Sequence, residues 1–195
     1  MEADKLMLSC SCGSIKGHVS GINPRLGNRI KCYCNDCRRF VSMFEEGKKY
    51  IDQQGGSEIL QVPPSHVKID EGKEHLGCLK LSDKGLHRWY SNCCKTPLFN
   101  TAGLKIPFVG IFGHFIEDEH YEAHVGPVLG GVFKDSSLTP IVNKIGLNYS
   151  KPRILSRMAF QLVTWKVSGK SQPNCLYESS GKAIVKPEIV KNIAS

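Results

Sequence analysis

Residues 58–90 read EILQVPPSHVKIDEGKEHLGCLKLSDKGLHRWY. Four short stretches, Glu58–Val62, His66–Ile69, Leu76–Leu81 and His87–Tyr90, alternate with the turn signals Pro63-Pro64, Glu71-Gly72 and Asp83-Lys84-Gly85. Segments this short and evenly spaced, with no long helix between them, predict a mainly β fold of short antiparallel strands. Upstream, Leu6–Leu8, Ile15–Val19 and Arg29–Tyr33 read as further strands, and residues 35–44 as one helical turn. Downstream, Ile106–Phe115 is expected to form a central strand and Gly126–Phe133 another. Helical periodicity appears only late: Ile154, Leu155, Met158, Leu162 and Trp165 predict an amphipathic helix at about residues 153–168. Pro152 stands near its start and Gly169 near its end. The chain therefore divides into a β domain over residues 1–135 and a C-terminal helical extension over residues 136–195.

At 41% hydrophobic and 23% charged, the 195 residues have an ordinary soluble composition. No apolar run is long enough to span a bilayer, and the N-terminus lacks the apolar core of a secretory signal. A cytoplasmic location is expected, with the nucleus as an alternative, and nothing in the sequence sets the oligomeric state. The net charge of +8 is uneven. Residues 1–135 balance to +1, whereas residues 136–195 carry nine Lys/Arg against two Asp/Glu, a balance of +7. That excess fits a solvated helical face, and it also admits an acidic partner such as nucleic acid.

Nine cysteines carry the chemistry, and seven of them are clustered: Cys10-Ser11-Cys12-Gly13, Cys32-Tyr33-Cys34-Asn35-Asp36-Cys37 and Cys93-Cys94. An odd total in a reducing compartment favours metal ligands over disulfides, and zinc is the default ion. Residues i and i+2 of a strand share a face, so Cys10 and Cys12 can present two sulfurs to one ion. A structural site needs four ligands, and Cys93/Cys94 are the only other paired cysteines. Such a clamp would close a loop of about eighty residues. Cys32, Cys34 and Cys37 supply three sulfurs from one segment, the count of a catalytic zinc site with an open position. A closed site completed by Cys78 or a histidine is the alternative. Three thiolates around a dication keep a fourth, incoming thiol ionised yet nucleophilic, which suits attack on a small electrophilic carbon. Arg38 and Arg39 follow directly and are candidates to hold a substrate carboxylate, or are simply solvated.

Weaker signals are His120 and His124, spaced as a helical metal pair inside an acidic stretch. Cys78 reads as a buried apolar position and Cys175 as a tail thiol. No phosphate loop, dinucleotide fingerprint or nucleophile elbow is present.

The combination C-x-C-G, then C-x-C-x-x-C-R-R, then R-W-Y-x-x-C-C-x-T-P-L over residues 8–135 resembles the glutathione-dependent formaldehyde-activating family, whose superfamily includes centromere protein V. The resemblance implies a β-tent fold and one or two zinc ions. It places a structural zinc at Cys10, Cys12 and the third cluster, and a catalytic zinc at Cys32, Cys34 and Cys37. It also implies a carbon–sulfur lyase-type activity joining glutathione to formaldehyde. The third cluster departs from the family's C-x-x-C-G-T-P. With Thr96-Pro97 as anchor, Ser91 stands at the first cysteine position, Lys95 replaces the glycine and Cys93 is extra. Adjacent strand residues face opposite ways, so both sulfurs reach one ion only if the backbone bends. The sequence leaves open a site using both cysteines, a site using Cys94 alone, a metal-free site or a vicinal disulfide. Two readings follow. One is a zinc enzyme acting on a thiol adduct of a small aldehyde. The other is a zinc-stabilised module that contacts nucleic acid or another acidic partner through residues 136–195.

Overall fold

A computed structural model describes residues 5–118 and 121–190. In chain order the elements are β1 (Lys5–Ser9), β2 (Lys16–Ser20), β3 (Asn28–Cys32), α1 (Asn35–Ser42), β4 (Ser57–Val62), β5 (Val67–Glu71), β6 (Leu76–Lys80), β7 (His87–Ser91), β8 (Pro97–Thr101), β9 (Val109–Phe112), α2 (Tyr121–Val125), β10 (Gly131–Val132), α3 (Lys151–Val167) and β11 (Glu188–Ile189). The protein is mainly β, as the strand spacing predicts. A three-stranded sheet runs β1-β2-β5, and an eight-stranded sheet runs β10-β3-β4-β9-β8-β7-β6-β11. Neighbours are antiparallel except at the two ends, where β10 lies parallel to β3 and β11 parallel to β6. No described helix is long and apolar enough to cross a membrane.

Alternation sets the faces. In β1, Leu6 and Leu8 are buried while Lys5 and Met7 are exposed. In β7, Trp89 joins one hydrophobic cluster, with Leu6, Leu8, Ile15, Phe99 and Phe115. Arg88 and Tyr90, on the opposite face, point towards the second cluster, where Phe40 and Val41 of α1 pack against Ile30, Ile59 and Phe112.

The expected strand over Ile106–Phe115 is shorter. Pro107 carries no N–H for a ladder, so pairing begins at Val109, and Gly113–Phe115 tightens into a 3-10 turn. Over Gly126–Phe133 only Gly131–Val132 pairs regularly, because Gly126 takes a positive φ of 79° and Pro127 cannot donate. Residues 35–44 form two helical turns rather than one. In α3 the inward positions are Ile154, Gln161 and Trp165, while Leu155, expected on the apolar face, is 40% exposed.

The C-terminal third packs into both clusters. Ile154 joins the second. Leu176 and Tyr177 join the first, Tyr177 meeting Trp89 edge to face at 5.9 Å. The irregular tail still ends in β11, a two-residue edge strand on β6.

His114, in the turn after β9, stacks on Tyr50 at 3.7 Å and donates from Nε2 to the Pro97 carbonyl at 2.8 Å. Burial pushes its pKa down to about 4, with nearby Lys49 acting in the same direction. A histidine kept neutral in the fold contributes stability above its ordinary pKa of 6.5, and that stability is lost as pH falls towards 4. Chemical denaturation of wild type and His114→Gln between pH 7 and pH 4 should show the wild-type advantage shrinking by about 3 kcal/mol across this window.

Candidate metal centres

The first centre is built from two similar turns. After β1, the Cys10 N–H donates to the Ile15 carbonyl at 3.0 Å, and the Ile15 N–H returns to the Cys10 sulfur at 3.3 Å. Gly13 completes this turn with φ at 73°, the left-handed region that favours glycine. After β7, the Ser91 N–H donates to the Thr96 carbonyl at 2.9 Å, and the Thr96 N–H returns to the Ser91 hydroxyl at 2.8 Å. Ser91 thus holds the turn with oxygen where the first turn uses sulfur.

Residues 92–94 lie in the turn itself, not in a strand. This answers how adjacent Cys93 and Cys94 converge: their backbone bends, and both sulfurs join Cys10 and Cys12 in one group whose ligand atoms all lie within 4.8 Å. Sulfur separations are 3.7 Å for Cys10–Cys12, 3.3 Å for Cys12–Cys93 and 3.9 Å for Cys93–Cys94. Tetrahedral zinc with bonds of about 2.3 Å spaces its sulfurs by about 3.8 Å, so the four thiols fit the ion. All nine cysteines are free, and Cys93 and Cys94 form no vicinal disulfide. Burial raises the Cys94 thiol, but the hydroxyls of Ser11, Ser91 and Thr96 outweigh it and bring the pKa down to about 5. Burial pushes Cys10 up to about 12.

The second centre sits where β3 runs into α1. Cys32 ends the strand, Cys34 is the N-cap of the helix and Cys37 lies in its first turn. The Cys37 N–H donates to the Cys34 sulfur at 3.4 Å, and Cys32 and Cys34 are 3.4 Å apart. The three sulfurs lie within 4.8 Å of one another, and among the described residues no fourth Cys, His, Asp or Glu joins them. Cys78, a candidate fourth ligand, is instead buried in the first hydrophobic cluster. Thiol donation from Cys32, then from Cys37, pulls Cys34 down to about 2, and the charge of Arg88 assists. The same neighbours, Cys34 first, push Cys32 far above the thiol range. One thiolate forms readily and the others donate to it, so a dication is what lets all three ionise together.

Sequence reasoning missed two residues here. Arg88 is 2% exposed and donates from Nη1 to the Cys37 sulfur at 3.3 Å and to Asn100 Oδ1 at 2.9 Å. Arg88 and Asn100 are cross-strand partners on β7 and β8. A lone arginine inside the strand segment His87–Tyr90 was the available signal. Arg38, proposed for substrate, donates to the Ser136 carbonyl at 2.9 Å, and Arg39 is half-buried. Neither lines the cavity that adjoins the three cysteines. That cavity measures about 590 Å³ and is walled by Ile30, Ile59, Phe108, Val132, Leu155 and Met158, with Arg88 and Asn100 also on its lining. His124 pairs with Asp118 at 2.7 Å, and His120 lies outside the described residues. Cys175 is packed against the first cluster, where burial raises its pKa to about 11.

Fold and sites define a mainly β protein with two cysteine groups fit to hold metal ions. Residues 3–188 match a family described as a family of unknown function, DUF6151, and the chain belongs to that family. The match spans the strands and most of the basic C-terminal third. No curated protein matches the chain. Among solved structures, the crystal structure of a Rhodobacter sphaeroides protein, a structural genomics target, aligns at 15% identity. It covers 63% of this chain and 97% of that one, with a TM-score of 0.43, too slight a likeness to assign anything.

Elemental analysis of the purified protein should return two zinc ions per chain, and Cys12→Ser and Cys34→Ser should each remove one. Ser91→Ala should leave the buried Thr96 N–H unpaired and lower unfolding free energy by about 1–3 kcal/mol, measured by denaturant titration.

Proposed function

We propose that the protein is a zinc-dependent carbon–sulfur lyase-type enzyme acting on a thiol adduct of a small aldehyde. The observation that carries this reading is the set of three sulfurs, Cys32, Cys34 and Cys37, lining one cavity with no fourth protein ligand among the described residues. Cys32, Cys34 and Cys37 would hold a zinc ion, which would supply a Lewis-acid centre able to keep an exogenous sulfur ionised at neutral pH. The chain's own residues do the rest. Arg88 sets a buried positive charge beside Cys37 and offsets the excess negative charge of three thiolates. Asn100 accepts from the guanidinium and fixes its orientation. The apolar walls keep water from a bound adduct, so that a freed aldehyde or thiol is not dispersed at once.

The resemblance to the glutathione-dependent formaldehyde-activating family supports glutathione as the thiol and S-hydroxymethylglutathione as the adduct. The reaction is an addition of S–H across a carbonyl or its reverse, so it needs no oxidant or reductant. Cys34→Ser should lower the rate of S-hydroxymethylglutathione formation at least 100-fold in a stopped-flow or NMR exchange assay. A rate equal to wild type would overturn the reading.

A further inference from the structure

The cavity beside the three cysteines is lined mainly by apolar side chains, whereas the thiol proposed above is a charged tripeptide. The cavity measures about 590 Å³. Its walls are aliphatic and aromatic over Ile30, Ile59, Phe108, Val132, Leu155 and Met158. Small-molecule sites of this kind are mostly apolar, with a few polar groups that fix orientation, here Gln61, Arg88 and Asn100 within and Asn35, Asp36 and Lys84 towards solvent.

At the cavity's mouth, apolar side chains stand beside the exposed Asn35, Asp36 and Lys84. Leu155 on α3 is 40% exposed and Phe133 is 43% exposed, and both line the cavity. Phe133 has φ at 57°, a left-handed conformation that a bulky residue adopts only at a cost, and such strain gathers at functional positions. Its ring lies 5.3 Å beneath the Lys151 ammonium. α3 therefore belongs to the site: its first turns provide Leu155 and Met158, and the residue directly after β10 provides Phe133.

We propose that the adduct handled here carries a bulky apolar group on its carbon side, seated against Leu155, Met158 and the strand residues opposite, with its sulfur at the three cysteines. α3 is then the specificity wall. The inference rests on the thiol-adduct reading above.

S-alkylglutathiones are stable analogues of such adducts, and their binding to the zinc-loaded protein can be followed by calorimetry alongside glutathione itself. Each fully buried methylene strengthens binding about fourfold, so S-butylglutathione should bind about 60-fold more tightly than S-methylglutathione. Leu155→Gln, at a rim position that is 40% exposed, and Met158→Gln should each cut that ratio at least fivefold. Equal affinities across the alkyl series, with glutathione still bound, would overturn the apolar substrate while leaving the thiol reading in place. Failure of glutathione and every S-alkyl derivative to bind would overturn the thiol reading and this inference with it.

Discussion

The turn after β1 and the turn after β7 meet sulfur to sulfur, Cys12 against Cys93 at 3.3 Å across 81 positions of sequence. This is where the small sheet is tied to the large one. Around it, Ser11 donates its N–H to the Thr96 hydroxyl, and Leu8 bridges Ile116 beyond β9. A metal joining four such thiols would close a loop of about eighty residues, and the gain from removing that freedom in the unfolded state grows with loop length. The first hydrophobic cluster forms behind this junction, with Cys10 and Cys94 at its edge.

The second centre obeys a different constraint. Arg88 is a full charge held almost out of water, and a charge in that position persists only with partners. It has two at close range, the Asn100 amide oxygen and the Cys37 sulfur, with Asp36 at 3.9 Å. Cation and thiolates explain each other: the guanidinium would be costly to bury without negative sulfur beside it, and three thiolates around a dication are left with net negative charge that the guanidinium offsets. Phe40 beneath the guanidinium closes the arrangement from the helix side.

Much of this was legible in the sequence. The four strands of residues 58–90 fall within two residues of their expected bounds, because short apolar runs bracketed by proline and glycine leave few alternatives. Three cysteines within six residues declared a metal group by spacing alone. The pairing of Arg88 with Asn100 was not legible, since cross-strand neighbours depend on a register that the sequence does not print. The convergence of Cys93 with Cys94 was undecided for a related reason: strand geometry forbids it, and only the turn formed through Ser91 and Thr96 permits it. The long central strand was over-read because Pro107 and Gly113 interrupt an otherwise uniform apolar run. In α3, periodicity found the helix, but the sequence could not tell the residues facing the core from those facing a cavity.

The order of the chain gives the cavity a history. During synthesis the three cysteines emerge early, Arg88 and Asn100 follow after some fifty residues, and Leu155 and Met158 arrive near the end. The first 135 residues already include the three cysteines, Arg88 and Asn100, whereas Leu155 and Met158 of the cavity wall come later. In order of synthesis, the residues that could gather a metal therefore precede those of α3 that wall the cavity.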